Sequence, residues 1–247
     1  MPYTSGTPRL FYRTQGKGPL VIMLHGLLMN GQCWENNGLI SAFSPYFRVI
    51  CPDMVGHGAS EKPDKQEWYT RQSQALAIVR LMDELGYDKA HLIGYSAGAW
   101  LAMELIHCYP DRLHSVIMGG WDCLKGLPET PMGKLTFDIF MSFAREVAPE
   151  LTSPLSPDDE QSAARFFNEL RKPAQETGKL FNVKVPVLFW AGRDDPYYAA
   201  MHELAEQHAI QLISGKGDHL REVNYPDDAT VSKMLKFVRK QEPSSVQ

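Results

Sequence analysis

The stretch that decides the fold is His91–Trp100, HLIGYSAGAW. An apolar run ends at Ser96, Gly94 and Gly98 flank this serine, and the pattern of a buried helix, Ala97–His107, follows at once. Glycines at these two positions leave room for neighbouring backbone, because they carry no Cβ atom. The stretch therefore predicts a strand, a tight turn and a helix, with the serine exposed at the end of the strand.

The same alternation of apolar run and helical pattern extends along the chain on both sides. Continuous runs rich in Val and Ile are typical of strands that are buried on both faces. Strands that alternate with amphipathic helices predict an α/β fold with a doubly wound, mostly parallel sheet. The predicted strands are Arg9–Thr14 (an antiparallel edge), Leu20–Leu24, Phe47–Cys51, His91–Tyr95, His114–Met118, Val185–Trp190 and Ala209–Ile213, and the clearest helices are Tyr69–Leu85 and Ala97–His107.

One segment, Trp121–Asn182, interrupts this alternation because it contains no strand-like run. It holds two helical patterns instead, Gly133–Val147 and Asp158–Arg171, which prolines separate. We interpret residues 121–182 as a helical cap over the carboxyl edge of the sheet, where open α/β sheets bind ligands. Residues 1–120 and 183–247 then form one core domain.

Composition excludes several classes of protein. The chain has 247 residues, 44% of them hydrophobic and 22% charged, and a formal net charge of −4. No basic excess attracts nucleic acid or an anionic membrane surface, and no apolar run has the length of a membrane span. No signal-peptide pattern is evident at the N-terminus, so we expect a soluble cytoplasmic protein, monomeric or homodimeric. The four cysteines lack metal-binding spacing and are expected to be free thiols: Cys33, Cys51, Cys108 and Cys123.

A serine hydroxyl needs a base to act as a nucleophile, and eight histidines compete for that role. His219 lies in a loop just past the last predicted strand, so it should hang over the carboxyl edge near Ser96. His25 and His57 lie in glycine turns, where a histidine most often braces the loop. Core or surface roles fit the other five: His91, His107, His114, His202 and His208.

The base in turn needs an acid that fixes its tautomer. Asp194 and Asp195 both follow the strand that ends at Trp190. We prefer Asp195 because it lies farther into the loop and Pro196 holds the turn. Asp194 stays open as the alternative, with Asp122 a distant third.

Two backbone amides are candidates for an oxyanion hole. Ala97 follows the serine, and Leu27 lies in the loop after the early strand Leu20–Leu24. Donors of this kind stabilise the negative charge that develops on a carbonyl oxygen during acyl transfer.

Together these residues resemble the α/β-hydrolase superfamily over roughly residues 9 to 240. The matching landmarks are His25-Gly26, Asp53–Ser60, the turn at Ser96, Gly192–Asp195, and His219 with Tyr225-Pro226. The resemblance implies an eight-stranded, mostly parallel sheet, with the cap inserted after the sixth strand. It also implies a Ser-His-Asp triad without cofactor or metal, and an acid three residues after Gly192, which is Asp195. One departure is Val55, where the family usually has a basic residue.

The predicted cap is rich in apolar side chains that either pack it onto the sheet or line a pocket beside Ser96. These are Trp121, Met132, Leu135, Phe137, Ile139, Phe140, Met141 and Phe143. We therefore expect a serine hydrolase for small, largely apolar carboxylic esters. Lactonase, thioesterase, carbon–carbon bond hydrolase and cofactor-free perhydrolase use the same triad and stay open, as does a slow-turnover ligand receptor.

Overall fold

The computed structural model describes residues 2–130, 133–172 and 184–242. Its central sheet has seven strands, and two further short strands form a separate hairpin outside it. In chain order the strands are β1 (Tyr12–Gln15), β2 (Leu20–Leu24), β3 (Arg48–Pro52), β4 (Ala90–Tyr95), β5 (Leu113–Gly119), β6 (Glu129–Thr130), β7 (Gly133–Lys134), β8 (Val187–Gly192) and β9 (Gln211–Gly215). The order in the sheet is β1-β3-β2-β4-β5-β8-β9, and β6 and β7 form a separate antiparallel hairpin.

Helices cover both faces of this sheet. They are α1 (Cys33–Asn36), α2 (Leu39–Phe43), α3 (Arg71–Glu84), α4 (Ala97–Cys108), α5 (Phe137–Val147), α6 (Pro149–Thr152), α7 (Pro157–Leu170), α8 (Tyr198–His208), α9 (His219–Asn224) and α10 (Asp228–Lys240). Within the described residues, none of them is both long and apolar enough to cross a membrane.

The parallel, doubly wound sheet predicted from the sequence is confirmed. Every residue of β2 and of β4 is buried, as a strand covered by helices on both faces must be. Only β1 runs antiparallel, against β3 at the edge. One core lies between the sheet and α3 and α4, and a second lies between the opposite face and α2 and α10.

The predicted number of eight strands is wrong for the described sheet. The chain before β1 makes only an isolated antiparallel bridge, Tyr3 to Phe11, with two backbone hydrogen bonds around it. Pro2 and Pro8 have no amide hydrogen to donate, so a regular ladder cannot extend there. Consequently the helical segment follows the fifth strand of the sheet and not the sixth.

The segment between β5 and β8 also differs from its prediction, because it contains the short hairpin β6–β7. Helix α5 begins at Phe137 rather than Gly133, since Thr136 accepts a hydrogen bond from the Ile139 amide and starts the helix there. The boundaries 121–182 stay a prediction. Met132 and the predicted end at Asn182 lie outside the described residues.

Helix α7 is fixed to the core by aromatic and polar contacts. Phe166 lies between His57 and Trp100, with ring centroids 5.0 and 5.3 Å away. Ser162 of α7 shares a hydrogen bond of 3.0 Å with the hydroxyl of Tyr69. These contacts place α7 over the loop that follows β3.

Two buried histidines should make the fold sensitive to acid. Burial lowers the pKa of His25 to about 4 and that of His57 to about 3, from an ordinary 6.5. Below pH 6.5 these two histidines therefore bind protons in the unfolded chain but stay neutral in the folded chain. The free energy of unfolding consequently falls as pH falls. Each histidine should remove about 1.4 kcal/mol of unfolding free energy per pH unit between about pH 6 and pH 4.

Urea unfolding of His57→Gln across that range measures this effect. We expect its stability to depend less steeply on pH than that of the natural chain, by about 1.4 kcal/mol per pH unit. His107→Gln is the control, because His107 is exposed. Equal slopes of unfolding free energy against pH in all three proteins would contradict the lowered pKa of His57.

Candidate active site

Ser96 lies at the turn between β4 and α4 in a strained conformation, with φ 54° and ψ −115°. Close backbone packing forces this geometry. A Cβ atom on Gly94 would lie 2.4 Å from the carbonyl oxygen of Gly98, and one on Gly98 would lie 2.0 Å from that of Leu24. The two glycines therefore allow the tight turn that the sequence predicted.

Two backbone amides lie at this turn. Ala97 is the first residue of α4, whose N-cap, Ser96, provides no side-chain hydrogen bond. The loop after β2 passes close by, since a Cβ on Gly26 would lie 3.5 Å from Cβ of Ser96. In this loop Leu28 has a φ of 64°. Within the described residues, neither the Leu27 nor the Ala97 amide donates a hydrogen bond, so both are available to a ligand oxygen.

His219 and Asp195 are brought together at the carboxyl edge of the sheet. Nδ1 of His219 lies 2.8 Å from Oδ2 of Asp195, whose side chain is fully buried while that of His219 is 25% exposed. Oδ1 of Asp195 accepts a hydrogen bond of 2.9 Å from the Tyr197 amide. A carboxylate at Nδ1 favours the tautomer with its proton on that nitrogen, which leaves Nε2 as an acceptor.

The two alternative acids do not contact His219. Asp194 is exposed, and its amide bonds the carbonyl oxygen of Gly217. Asp122 is buried, but its Oδ1 accepts hydrogen bonds from the Leu124 and Lys125 amides, both of 2.9 Å, and so shapes the turn after β5. Of the three candidates, only Asp195 pairs with the histidine.

The segment Gly119–Gly120 lies next to both the serine and the histidine. The Ser96 amide donates a hydrogen bond of 2.8 Å to the Gly119 carbonyl. A Cβ on Gly120 would lie 2.8 Å from Cε1 of His219. Ser96 and His219 thus border the same segment, although the described residues contain no hydrogen bond between the serine hydroxyl and the imidazole. Such bonds are often long before a substrate binds.

A buried polar network beneath His219 was missed by the sequence reasoning. The hydroxyl of Tyr95 lies 3.1 Å from Oδ2 of Asp195 and 2.9 Å from the carbonyl oxygen of His219. Glu222, also buried, accepts a hydrogen bond of 2.8 Å from Nε1 of Trp190. The available signal was a tyrosine in an otherwise apolar strand and a carboxylate three residues after the histidine.

Two other histidine sites have structural contacts instead. His25 accepts a hydrogen bond of 3.0 Å from the Met54 amide and so braces the loop, as its glycine turn suggests. His91 lies between Ser115, at 2.7 Å, and the carboxylate of Glu242. Ser115 is fully buried, so this second Ser-His-carboxylate arrangement is closed to substrate. Among the residues that the structure describes, no cluster of three His, Cys, Asp or Glu side chains could hold a metal ion.

An apolar wall faces the loop that carries the Leu27 amide. Leu28 packs in one buried cluster with Met141, and Phe137 and Phe140 pack against it. Phe143 is 61% exposed and is not part of this wall. On the other side of the site Tyr197 contacts both Trp121 and His219, with ring centroids 5.7 and 5.5 Å apart.

A doubly wound sheet with a serine at a strand-to-helix turn and a His–Asp pair at the same edge defines an alpha/beta hydrolase. The model of the alpha/beta hydrolase fold family matches residues 19–191. The chain therefore belongs to this family of hydrolases.

Similar proteins include a dienoate hydrolase, a methyl ester esterase and an enol-lactonase. The chain is 30% identical over 196 residues to 2-hydroxy-6-oxo-6-phenylhexa-2,4-dienoate hydrolase of Burkholderia cepacia, covering 74% of this chain and 68% of that one. It is 30% identical over 153 residues to pimeloyl-acyl-carrier-protein methyl ester esterase of Aeromonas hydrophila, covering 62% and 54%. The solved structure of the enol-lactonase from Burkholderia xenovorans matches with a TM-score of 0.75 at 20% identity, covering 97% of this chain and 99% of that one.

Other curated relatives are much longer than the matched region. The chain spans about a third (33%) of the length of the uncharacterized Mycobacterium proteins that it matches at 33% identity. Membership of the family rests on the match of its model to residues 19–191, and not on these partial matches.

Substitution of Gly120 should displace His219. Gly120 has a φ of 55°, and an added Cβ would lie 2.7 Å from Cζ of Tyr95 and 2.8 Å from Cε1 of His219. We expect Gly120→Ala to lower kcat/KM for ester hydrolysis about 100-fold, because a shift of about 1 Å in a catalytic group costs that much.

Gly86→Ala is the matched control for this variant. Gly86 has a similar φ of 75°, but no atom lies within 4 Å of its added Cβ. Backbone strain of about 1–2 kcal/mol is then common to both variants, and only Gly120→Ala crowds Tyr95 and His219. Equal activity of the two variants would contradict the expected clash.

Proposed function

We propose that the protein is a serine hydrolase that cleaves carboxylic esters of small, largely apolar substrates through an acyl-enzyme. The observation that carries the proposal is the 2.8 Å contact between His219 and the buried Asp195, at the edge where Ser96 follows strand β4. A base oriented by an acid beside a strained serine is the arrangement that nucleophilic acyl transfer needs.

The first half of the reaction forms the acyl-enzyme. Oγ of Ser96 attacks the ester carbonyl carbon while Nε2 of His219 takes its proton. Asp195 stabilises the resulting imidazolium, and the amides of Leu27 and Ala97 donate to the oxyanion. When the tetrahedral intermediate collapses, the bond to the alkoxy oxygen breaks and the imidazolium protonates the leaving alcohol.

The second half releases the acid. His219 takes a proton from a water molecule, whose oxygen attacks the acyl carbon. Collapse of this second intermediate breaks the bond to Oγ of Ser96, which recovers its proton from His219. The products are one alcohol and one carboxylic acid, and the enzyme returns to its starting state.

The charges around His219 support a neutral substrate. Burial and, after it, nearby carboxylates raise the pKa of both tyrosines that contact the imidazole ring. The carboxylates are those of Asp195, Glu222 and Asp218 for Tyr95, and of Asp195 and Asp122 for Tyr197. An anionic acyl group would meet this negative potential at close range. The Phe137, Phe140 and Met141 side of the site accommodates an apolar acyl chain instead.

Carbon–carbon bond hydrolysis is the second candidate, because the 30% identical Burkholderia cepacia relative is a dienoate hydrolase. That name describes a carboxylate substrate, which the acidic surroundings of His219 disfavour. Ester cleavage therefore has the stronger support.

A substrate panel tests the two candidates on the purified protein. The panel contains p-nitrophenyl acetate and butyrate, a neutral lactone, a thioester and a ring-cleavage dienoate. We expect the largest kcat/KM for the butyrate ester and little turnover of the dienoate. A dienoate rate above the ester rates would favour carbon–carbon hydrolysis. A fluorophosphonate adduct on Ser96 with ester rates near the uncatalysed ones would indicate a receptor.

A further inference from the structure

Tyr95 lies directly beneath the His219–Asp195 pair. The tyrosine is 1% exposed, and its ring centroid is 5.0 Å from that of His219 and 4.8 Å from that of Trp190. Its hydroxyl lies 3.1 Å from Oδ2 of Asp195 and 2.9 Å from the main-chain oxygen of His219. Both of these atoms are acceptors, so the single phenolic hydrogen is shared between the side chain of the acid and the backbone of the base.

The carboxylate of Asp195 has three donors around it. Oδ2 receives Nδ1 of His219 and the hydroxyl of Tyr95, and Oδ1 receives the amide of Tyr197. The carboxylate is fully buried, so each of these donors replaces a water molecule that the anion lacks. Loss of one donor should therefore alter both the position and the charge distribution of the acid.

The hydroxyl of Tyr95 is held as a donor. Burial and the neighbouring charge of Asp195 raise the pKa of Tyr95 well above its ordinary value. The phenol is therefore protonated at neutral pH, and its one hydrogen is shared between the carboxylate of Asp195 and the carbonyl oxygen of His219.

We propose that Tyr95 is a positioning residue for the His219–Asp195 pair, an inference that rests on the proposed function. Tyr95 is the last residue of strand β4, and Ser96 follows it. The end of this strand therefore positions the nucleophile through Ser96 and the acid–base pair through Tyr95. The backbone amide of Ser96 and the hydroxyl of Tyr95 thereby fix the position of the serine relative to the histidine.

The ring of Tyr95 packs closely against the backbone of Gly119 and Gly120. An added Cβ on Gly119 would lie 2.4 Å from Cδ2 of Tyr95, and one on Gly120 would lie 2.7 Å from its Cζ. Tyr95→Phe therefore keeps the packing and removes only the hydroxyl, which makes it the informative substitution.

The expected change has a definite direction. Without the tyrosine donor, Oδ2 of Asp195 bonds His219 alone and stabilises the imidazolium more strongly. Protonated histidine is inactive as a base, so the acidic limb of the kcat/KM profile should move to higher pH. The ionisable groups that contact the His219 ring are Asp195, Tyr95 and Tyr197, and the charges of Asp218 and Glu222 act on Tyr95.

The test measures kcat/KM for p-nitrophenyl butyrate against pH. For Tyr95→Phe we expect about a tenfold fall at neutral pH and an acidic limb that moves up by about half a pH unit. Tyr69→Phe is the matched control, because Tyr69 is also fully buried and its hydroxyl bonds Pro63 and Ser162 instead. An unmoved limb in Tyr95→Phe would overturn the proposal.

A double substitution separates positioning from a merely structural role. In the Asp195→Asn background, Tyr95→Phe should cost clearly less than in the natural chain, since the part of the effect that passes through the carboxylate is already lost. A tenfold cost in both backgrounds would overturn the proposal. Thermal unfolding of all variants verifies that each is folded at the assay temperature.

A spectroscopic measurement keeps the inference testable if the protein hydrolyses no ester. The low-field proton resonance of Nδ1 of His219, assigned by its loss in His219→Gln, reports the His–Asp bond without any substrate. We expect it to move further downfield in Tyr95→Phe and to stay in place in Tyr69→Phe. Failure of the ester assay with this shift present would refute only the proposed function, and an unmoved resonance would refute the role of Tyr95.

Discussion

Ser96→Ala should lower kcat for ester hydrolysis about a million-fold, since the variant lacks the atom that forms the acyl-enzyme. Binding and the oxyanion amides of Leu27 and Ala97 would still act on a bound ester. A residual rate of about 1,000-fold over the uncatalysed reaction is therefore expected. Initial rates with p-nitrophenyl butyrate measure the loss, and labelling by a fluorophosphonate should vanish with it.

The fold should survive this substitution. Within the described residues the Ser96 side chain makes no capping hydrogen bond, so alanine removes none. The positive φ of 54° costs about the same for either residue. We expect the melting temperature to stay within about 2 °C of that of the natural chain.

Ser115→Ala is the matched control for Ser96→Ala. Ser115 also bonds a histidine, His91, that contacts a carboxylate, but it is fully buried within its strand. Ester hydrolysis should therefore persist in Ser115→Ala. If Ser96→Ala kept more than a hundredth of the activity, or if the probe labelled another serine, the nucleophile would be wrongly assigned.

The central strands were predictable because burial on both faces leaves a strong pattern. Residues Leu20–Leu24 form a strand with the same bounds in the sequence prediction and in the structure. All five side chains are apolar and buried, so the pattern has a sharp beginning and end. Where a strand has an exposed face or a loop residue extends the ladder, as at Gln211–Gly215, the predicted bounds shifted by two residues.

The shortest strands left no such pattern. The hairpin β6–β7 has two residues on each side, which is too few for any periodicity. The resemblance to the superfamily implied an eighth strand, but prolines at positions 2 and 8 reduce the first ladder to one bridge. The missing amide hydrogens of these prolines therefore explain why the described sheet has seven strands and not eight.

The residues of the candidate site also differ in how well the sequence predicts them. Ser96 was predictable because steric crowding requires its flanking glycines, and this requirement is written in adjacent residues. Tyr95 and Asp195 are 100 residues apart in the chain, and no local pattern announces their hydrogen bond. The choice between Asp194 and Asp195 depends on which side chain the loop turns inward, so the spacing of residues alone left both possible.

Asp195→Asn against Asp194→Asn resolves that choice with the second largest expected effect. Both substitutions remove one negative charge from the same loop, so a long-range electrostatic effect should be similar in the two. Only Asp195 lies 2.8 Å from Nδ1 of His219. An asparagine amide there would donate to Nδ1 and stabilise the tautomer with its proton on Nε2, which cannot accept the serine proton. We therefore expect kcat to fall about 10,000-fold in Asp195→Asn.

Asp194→Asn should keep kcat within about twofold, because an exposed side chain without contact to the imidazole contributes little to the reaction. Steady-state rates and thermal unfolding of both variants provide the comparison. Asparagine at 195 can still accept the Tyr197 amide through its carbonyl oxygen, so the loop should hold its shape. Comparable losses in the two variants would mean that charge in the loop, and not the bond to His219, sustains the reaction. The acid of the proposed triad would then have to be sought elsewhere.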